Sequence, residues 1–303
     1  MQLFLEQLLN GVQLSLTLFL LAAGLTLVFG IIEVINLAHG SLYMVGAYSG
    51  ALVAQRFGSF WVGFVAALLV AGAVGGVVEL VVMRRLYARD HLAQVLATFG
   101  LILFFDGLVS WGAGRAPILM DGPPLLAGFV EVVPGVPYPV YRLAIMAVGA
   151  MVAIGLWYLI SLTRLGMLIR AGSERREMLS ALGVDVTKLF TLVFAFGALL
   201  AGLAGIMVGP IRAVQIGMGE QVLITTFVVI IIGGVGSIRG AFAGAFVIGL
   251  CDTFGRAYAP MLFKAQFSGP IADGLGAATA SIIIYLVMAL VLVIRPHGLF
   301  RAI

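Results

Sequence analysis

The chain has 303 residues, 62% of them hydrophobic and only 10% charged, with a mean hydropathy of +1.18 and a formal net charge of +4. A soluble domain carries about 25% charged residues, so an ordinary soluble protein is excluded. A single cysteine, Cys251, excludes an intramolecular disulfide, and nothing in the charge points to a nucleic-acid partner.

Apolar runs fall near 8–30, 41–55, 60–83, 92–112, 142–162, 188–209, 221–234, 240–257 and 276–294. They predict an all-α polytopic membrane protein with about 8–10 transmembrane or half-membrane helices, since a full crossing takes about 20 apolar residues. The runs at 41–55 and 221–234 are short for a crossing. No Pro/Ser-rich linker or charged block interrupts the series, so residues 1–303 read as one transmembrane domain. Residues 1–10 hold Glu6 and no Lys or Arg, so no cleavable leader is expected. Forty glycines point to close helix packing.

The first run breaks at Gly30-Ile31-Ile32-Glu33-Val34-Ile35-Asn36-Leu37-Ala38-His39-Gly40. Glu33, Asn36 and His39 are costly in hydrocarbon unless they face protein or a polar path, and a broken helix at that depth is tolerated on the same terms. Asn36 and His39 either line a translocation path or hold the break by hydrogen bonds. His39 has no metal-ligand cluster around it, because His91 and His297 lie in separate loops. Glu79, one turn before Arg84, is expected at the membrane interface, and Asp106 is the most isolated acid within a span. A second break, Gly233-Gly234-Val235-Gly236-Ser237, precedes the run at 240–257, in which Asp252 and Arg256 stand four apart and should pair. Such paired discontinuities are where transporter sites lie. The segments that follow the breaks, Gly46 to Gly50 and Gly240 to Gly244, read as small-residue packing motifs.

Arg84, Arg85, Arg89, Arg164, Arg170, Arg175, Arg176, Lys188, Arg239, Arg295 and Arg301 fall on one side of this layout, 11 basic residues against 6 on the other. The positive-inside rule puts loops 84–91 and 163–188 and the C-terminus in the cytoplasm, and 113–141, 210–220 and 258–275 outside. Trp61, Trp111 and Trp157 then sit at interfaces as anchors. In the 163–188 loop, Ser173 is a candidate N-cap and Gly183 a stop for a short helix carrying Met178, Ala181 and Leu182 at helical spacing. So short a helix needs a docking surface, either a soluble partner's groove or the lipid face.

The motifs Gly30 through Asn36-Leu37-Ala38-His39-Gly40, Arg170-Ala171 through Gly183-Val184, and Gly233-Gly234-Val235-Gly236-Ser237-Ile238-Arg239-Gly240-Ala241 occur in order across residues 24–244. Together they resemble the bacterial branched-chain amino acid ABC-transporter permeases, and specifically the first (H-type) of that family's two permease subunits. The resemblance implies a subunit of an ATP-driven importer in the bacterial inner membrane. Its partners would be a second permease, two cytoplasmic ATPase subunits and an extracytoplasmic binding protein. It implies ATPase coupling through Arg170, Ala171, Glu174, Arg175, Glu177, Met178, Leu182 and Gly183, and a path or gate at Glu33, Asn36, His39, Gly40, Gly233, Gly234, Gly236 and Ser237. Arg175 departs from the family's acidic or amide residue, Leu37 from its commoner Phe, and Ser41 from an often acidic position. The last two bear on which amino acid, urea, amide or aromatic acid is carried.

No Gly-x-x-x-x-Gly-Lys-Ser/Thr, Gly-x-Ser-x-Gly or His-Glu-x-x-His motif is present, so no enzymatic chemistry and no cofactor are expected. The rival reading is an ion-coupled secondary transporter of small organic solutes using Glu33, Asp106 or Asp252.

Overall fold

A computed structural model describes the chain apart from residues 33, 35, 134, 175, 265, 266, 268 and 301–303, and describes only the backbone at 133, 174, 176 and 177. Each of the nine expected runs is a helix: α1 (Gln2–Ile32), α2 (His39–Phe57), α3 (Phe60–Val78), α5 (His91–Ala113), α6 (Val140–Leu162), α9 (Val186–Val208), α10 (Met218–Gly233), α11 (Ile238–Lys264) and α12 (Gly269–Ile294). A π turn, Glu79–Met83, and the short α4 (Arg84–Leu86) prolong α3. Among the described residues seven helices are long and apolar enough to cross a membrane, and α10 is a shorter apolar helix.

Helix α1 is the axis. It is buried along most of its length and packs against α11, α9 and α6, while α2, α3 and α9 form a second tight cluster and α10 wedges between α11 and α2. Small residues allow this closeness. A methyl group at Gly46 of α2 would meet the backbone of Gly202 in α9, and one at Gly24 of α1 would meet the Gly197 carbonyl. Van der Waals contact between such surfaces is what associates helices in lipid, where no hydrophobic drive separates helix from acyl chain. The outer helices α3, α5, α6 and α12 turn large apolar side chains outward, and Trp61, Trp111 and Trp157 are all exposed, as anchors require.

The loops collect at two ends. At one, the basic end, Gly172 lies among Leu179, Leu189 and Ile31, Thr191 bonds Glu79, and Leu299 bonds Ile232. At the other, Tyr138 bonds Asn10, and Ile118 pairs with Val214. This second end carries a feature the apolar pattern does not announce. Strands β1 (Phe129–Val133) and β2 (Val136–Pro139) form an antiparallel hairpin inside the 113–141 loop.

Two expectations meet more than the sequence shows. Glu79 stands at the basic end and is covered by protein. Its side chain is fully buried, and its carboxylate accepts from Arg84 (3.2 Å), Tyr87 (3.0 Å) and Thr191 of α9 (2.6 Å). A π turn bonds i to i+5 and so brings Glu79 and Arg84 onto one face, which α-helical spacing does not. The second needs correction, because Ser173 does not cap a helix start. It closes α7 (Arg164–Glu174), where its hydroxyl donates back to the Arg170 carbonyl, and a separate short α8 (Arg176–Ala181) follows.

Gly183, at φ +83°, ends that helix as expected. Asp185 then caps α9 by accepting the Lys188 N–H at 3.1 Å, a bond that holds its carboxyl below the usual range. Beyond α12 the chain folds back so that Leu299 and Phe300 donate to the last carbonyls of α10, Ile232 (2.8 Å) and Gly233 (2.9 Å). Those carbonyls belong to a helix end that has no partners within its own helix.

Candidate functional site

The two breaks meet. A methyl group on Gly30 would contact Gly236 at 3.2 Å, so the end of α1 lies against the turn between α10 and α11. Gly234 (φ 104°) and Gly236 (φ 82°) take backbone angles that residues with a side chain rarely adopt, which lets this turn reverse direction within four residues. Ser237, almost fully buried, accepts the Gly240 N–H on its hydroxyl at 3.1 Å and so opens α11. Asn36 shapes the turn that leads into α2. It is fully buried, and its Oδ1 accepts the Ala38 N–H at 3.0 Å. His39 is also fully buried, with its imidazole directed at α1 beside Leu21 and Gly24. Gly40 abuts Gly219 at the start of α10. Of the expected path residues, Gly233 to Ser237 thus form a packed seam with the end of α1, whereas Asn36, His39 and Gly40 pack separately, His39 against Gly24 of α1 and Gly40 against the start of α10; Glu33 lies outside the described residues.

Above the seam, toward the hairpin end, a polar cavity of about 490 Å³ opens. One wall is the first half of α1, where Gln7, Asn10, Gln13 and Thr17 recur every three or four residues and form a single polar stripe. Opposite stand Arg212, before α10, and the Asp252–Arg256 ion pair of α11, closed at 2.9 Å as its spacing predicts. Tyr43 of α2, buried in the core, lies at the inner limit. Arg142 is held by Asn10, which also accepts the Tyr138 hydroxyl at 3.2 Å. Burial pushes the Tyr138 hydroxyl up, and Arg142 opposes that shift. Three guanidinium groups face one carboxylate, and Arg212 has no side-chain partner among the described residues. The cavity therefore attracts a carboxylate and repels a lone cation. The stripe on α1 was its sequence signal; the partners on α10 and α11 carry none, because they stand some two hundred residues away.

Of the acids of the ion-coupled reading, Asp252 is bonded to Arg256, Asp106 lies against a second acid, Glu220, and Glu33 lies outside the described residues.

At the basic end, α7 and α8 form an elbow. Arg170, expected at a partner contact, donates instead to the Ile160 carbonyl at 2.7 Å and ties α7 to the end of α6. Leu179 is 4% exposed and anchors α8 beside Ile31 of α1, whereas Met178 (56%) and Leu182 (77%) stand free. Ala171 and Gly183 sit on the same elbow, Ala171 exposed. Arg175 and the side chains of Glu174 and Glu177 lie outside what is described.

The sequence model of the family described as branched-chain amino acid transport system, permease component, matches residues 7–292. The high-affinity branched-chain amino acid transport permease LivH of Salmonella typhimurium is 28% identical, over 98% of this chain and 95% of its own. BraD of Pseudomonas aeruginosa, of the same description, is 30% identical over the same shares. The ribose import permease RbsC of Escherichia coli is 28% identical over 77% of this chain and 72% of its own. A solved metal-chelate type ABC transporter in an inward-facing conformation aligns with 93% of this chain and 85% of that one, at 18% identity and a TM-score of 0.47.

Proposed function

This chain belongs to the branched-chain amino acid transport permease family, and from that premise we propose that it is the membrane-spanning permease of an ATP-driven importer of branched-chain or related amino acids. The geometric observation that carries the reading is the polar cavity entered from the hairpin end and stopped at Tyr43, with both breaks packed shut beyond it. A passage open from one side only is one half of an alternating-access cycle. In this reading the basic end lies in the cytoplasm with the C-terminus, and the hairpin end faces outward, where a binding protein delivers its ligand. The released amino acid presents its carboxylate to Arg212.

Partner ATPases supply the drive, since the chain has no phosphate-cradling loop of its own. They dock on Met178 and Leu182. Their closure moves α8, and Leu179 passes the displacement to Ile31 at the foot of α1, one side of the seam. A second permease completes the path.

The test is reconstitution in liposomes. The complete complex should take up substrate with ATP, Arg212→Gln should slow uptake without dissociating the complex, and the chain alone should neither hydrolyse ATP nor transport. Accumulation driven by an ion gradient with the lone chain would overturn the importer reading in favour of secondary transport.

A further inference from the structure

Helices α6 and α11 both pack on α1 but make little contact with each other, and the gap between them is an apolar groove of about 300 Å³. Its floor is Phe19, which rests edge-on against Phe242 at 5.2 Å; Ala153 and Trp157 form the facing wall. Ser161 and Arg239 stand at its end, the end that bears the chain's basic loops. We propose that this groove holds one acyl chain of an anionic phospholipid from the leaflet at the basic end, with the lipid phosphate on Arg239.

Three observations select that occupant. The groove opens sideways, past the exposed Ile154 and Trp157, and an apolar recess with no polar partners does not retain water. Its length fits one leaflet: Ala153 to Ser161 rises about 12 Å at 1.5 Å per residue, against roughly 15 Å for half of a hydrocarbon core. Its charge is complementary. Arg239 is exposed, and its guanidinium has neither an ion pair nor a hydrogen bond among the described residues. Arg164, equally exposed and unpaired among them, stands three residues beyond Ser161. An arginine at the edge of the hydrocarbon needs a counter-charge, and basic pockets between spans obtain one from anionic headgroups. The lipid would brace α6 against the first turn of α11, directly after Ser237, and so stiffen the second break from outside the bundle.

The full chain, purified in detergent, is to be examined by native mass spectrometry with palmitoyl-oleoyl phosphatidylglycerol and, separately, with phosphatidylethanolamine of the same acyl chains. The wild type should retain phosphatidylglycerol in preference. Arg239→Gln should cut that retention roughly fivefold, to the phosphatidylethanolamine level, and Arg239→Lys should preserve it. Ala153→Trp, which fills the groove and leaves the charge, should lose both lipids. Equal retention of the two lipids by the wild type, or an unchanged preference in Arg239→Gln, rejects the proposal. So does an Ala153→Trp variant that keeps its lipid while losing association with another permease chain, because the groove is then a seam between proteins.

Discussion

Single residues carry most of what spacing alone does not reveal. Glu79 and Arg84 are visible as a pair in the sequence, but Thr191, which joins them from another helix, is not, and neither is the π turn that aligns them. Glu79→Ala should therefore unlock α3 from α9 by removing the carboxylate that Arg84, Tyr87 and Thr191 share, at a cost of about 2 kcal/mol. Thermal unfolding of the detergent-purified chain measures this, and Glu79→Gln, which fills the same space and keeps one of the two acceptor oxygens, should lose less. Asn36 and His39 invite the opposite comparison. Their polarity in an apolar run is plain in the sequence, whereas the choice between path and scaffold is not. Full burial, and the bond from Asn36 to the Ala38 amide, favour scaffold. In a Cys251→Ala background, Asn36→Cys and His39→Cys should stay inert to small water-soluble thiol reagents in every nucleotide state and should lower thermal stability. Rapid labelling that changes when the ATPases are trapped with ATP would instead place both side chains on the path.

Whole elements were largely legible. Nine apolar runs became nine helices because a bilayer imposes both length and apolarity on anything that crosses it. The hairpin β1–β2 and the split of the 163–188 loop into α7 and α8 were not, since neither is under that constraint. The stripe of Met178, Ala181 and Leu182 is visible in the sequence, but only the fold shows that Leu179, within it, is the residue turned inward. That division of labour makes α8 a lever with one anchored and one free face. Leu182→Asp should weaken ATPase capture in a pull-down by about 2–4 kcal/mol, as loss of a buried hot spot does, while leaving the chain's own unfolding temperature unchanged. Undiminished capture would mean that the free face lies on lipid.

At the scale of the molecule, charge and topology agree. The loops richest in Arg and Lys gather at one end, and the hairpin lies at the other. In intact cells carrying Cys251→Ala, an impermeant thiol reagent should label Leu125→Cys, and should reach Leu182→Cys only after the membrane is permeabilised. The reverse pattern would invert the proposed orientation. The strap from α12 back to α10 has a further consequence, for how the protein is made. The amides of Leu299 and Phe300 that complete the end of α10 are made some sixty-six residues after Gly233. Until then the turn between α10 and α11 has two bare carbonyls, and bare carbonyls are poorly tolerated beside hydrocarbon. The seam therefore sets only after residue 300 has been made, and a nascent chain stalled short of residue 299 would carry its most delicate turn unfinished.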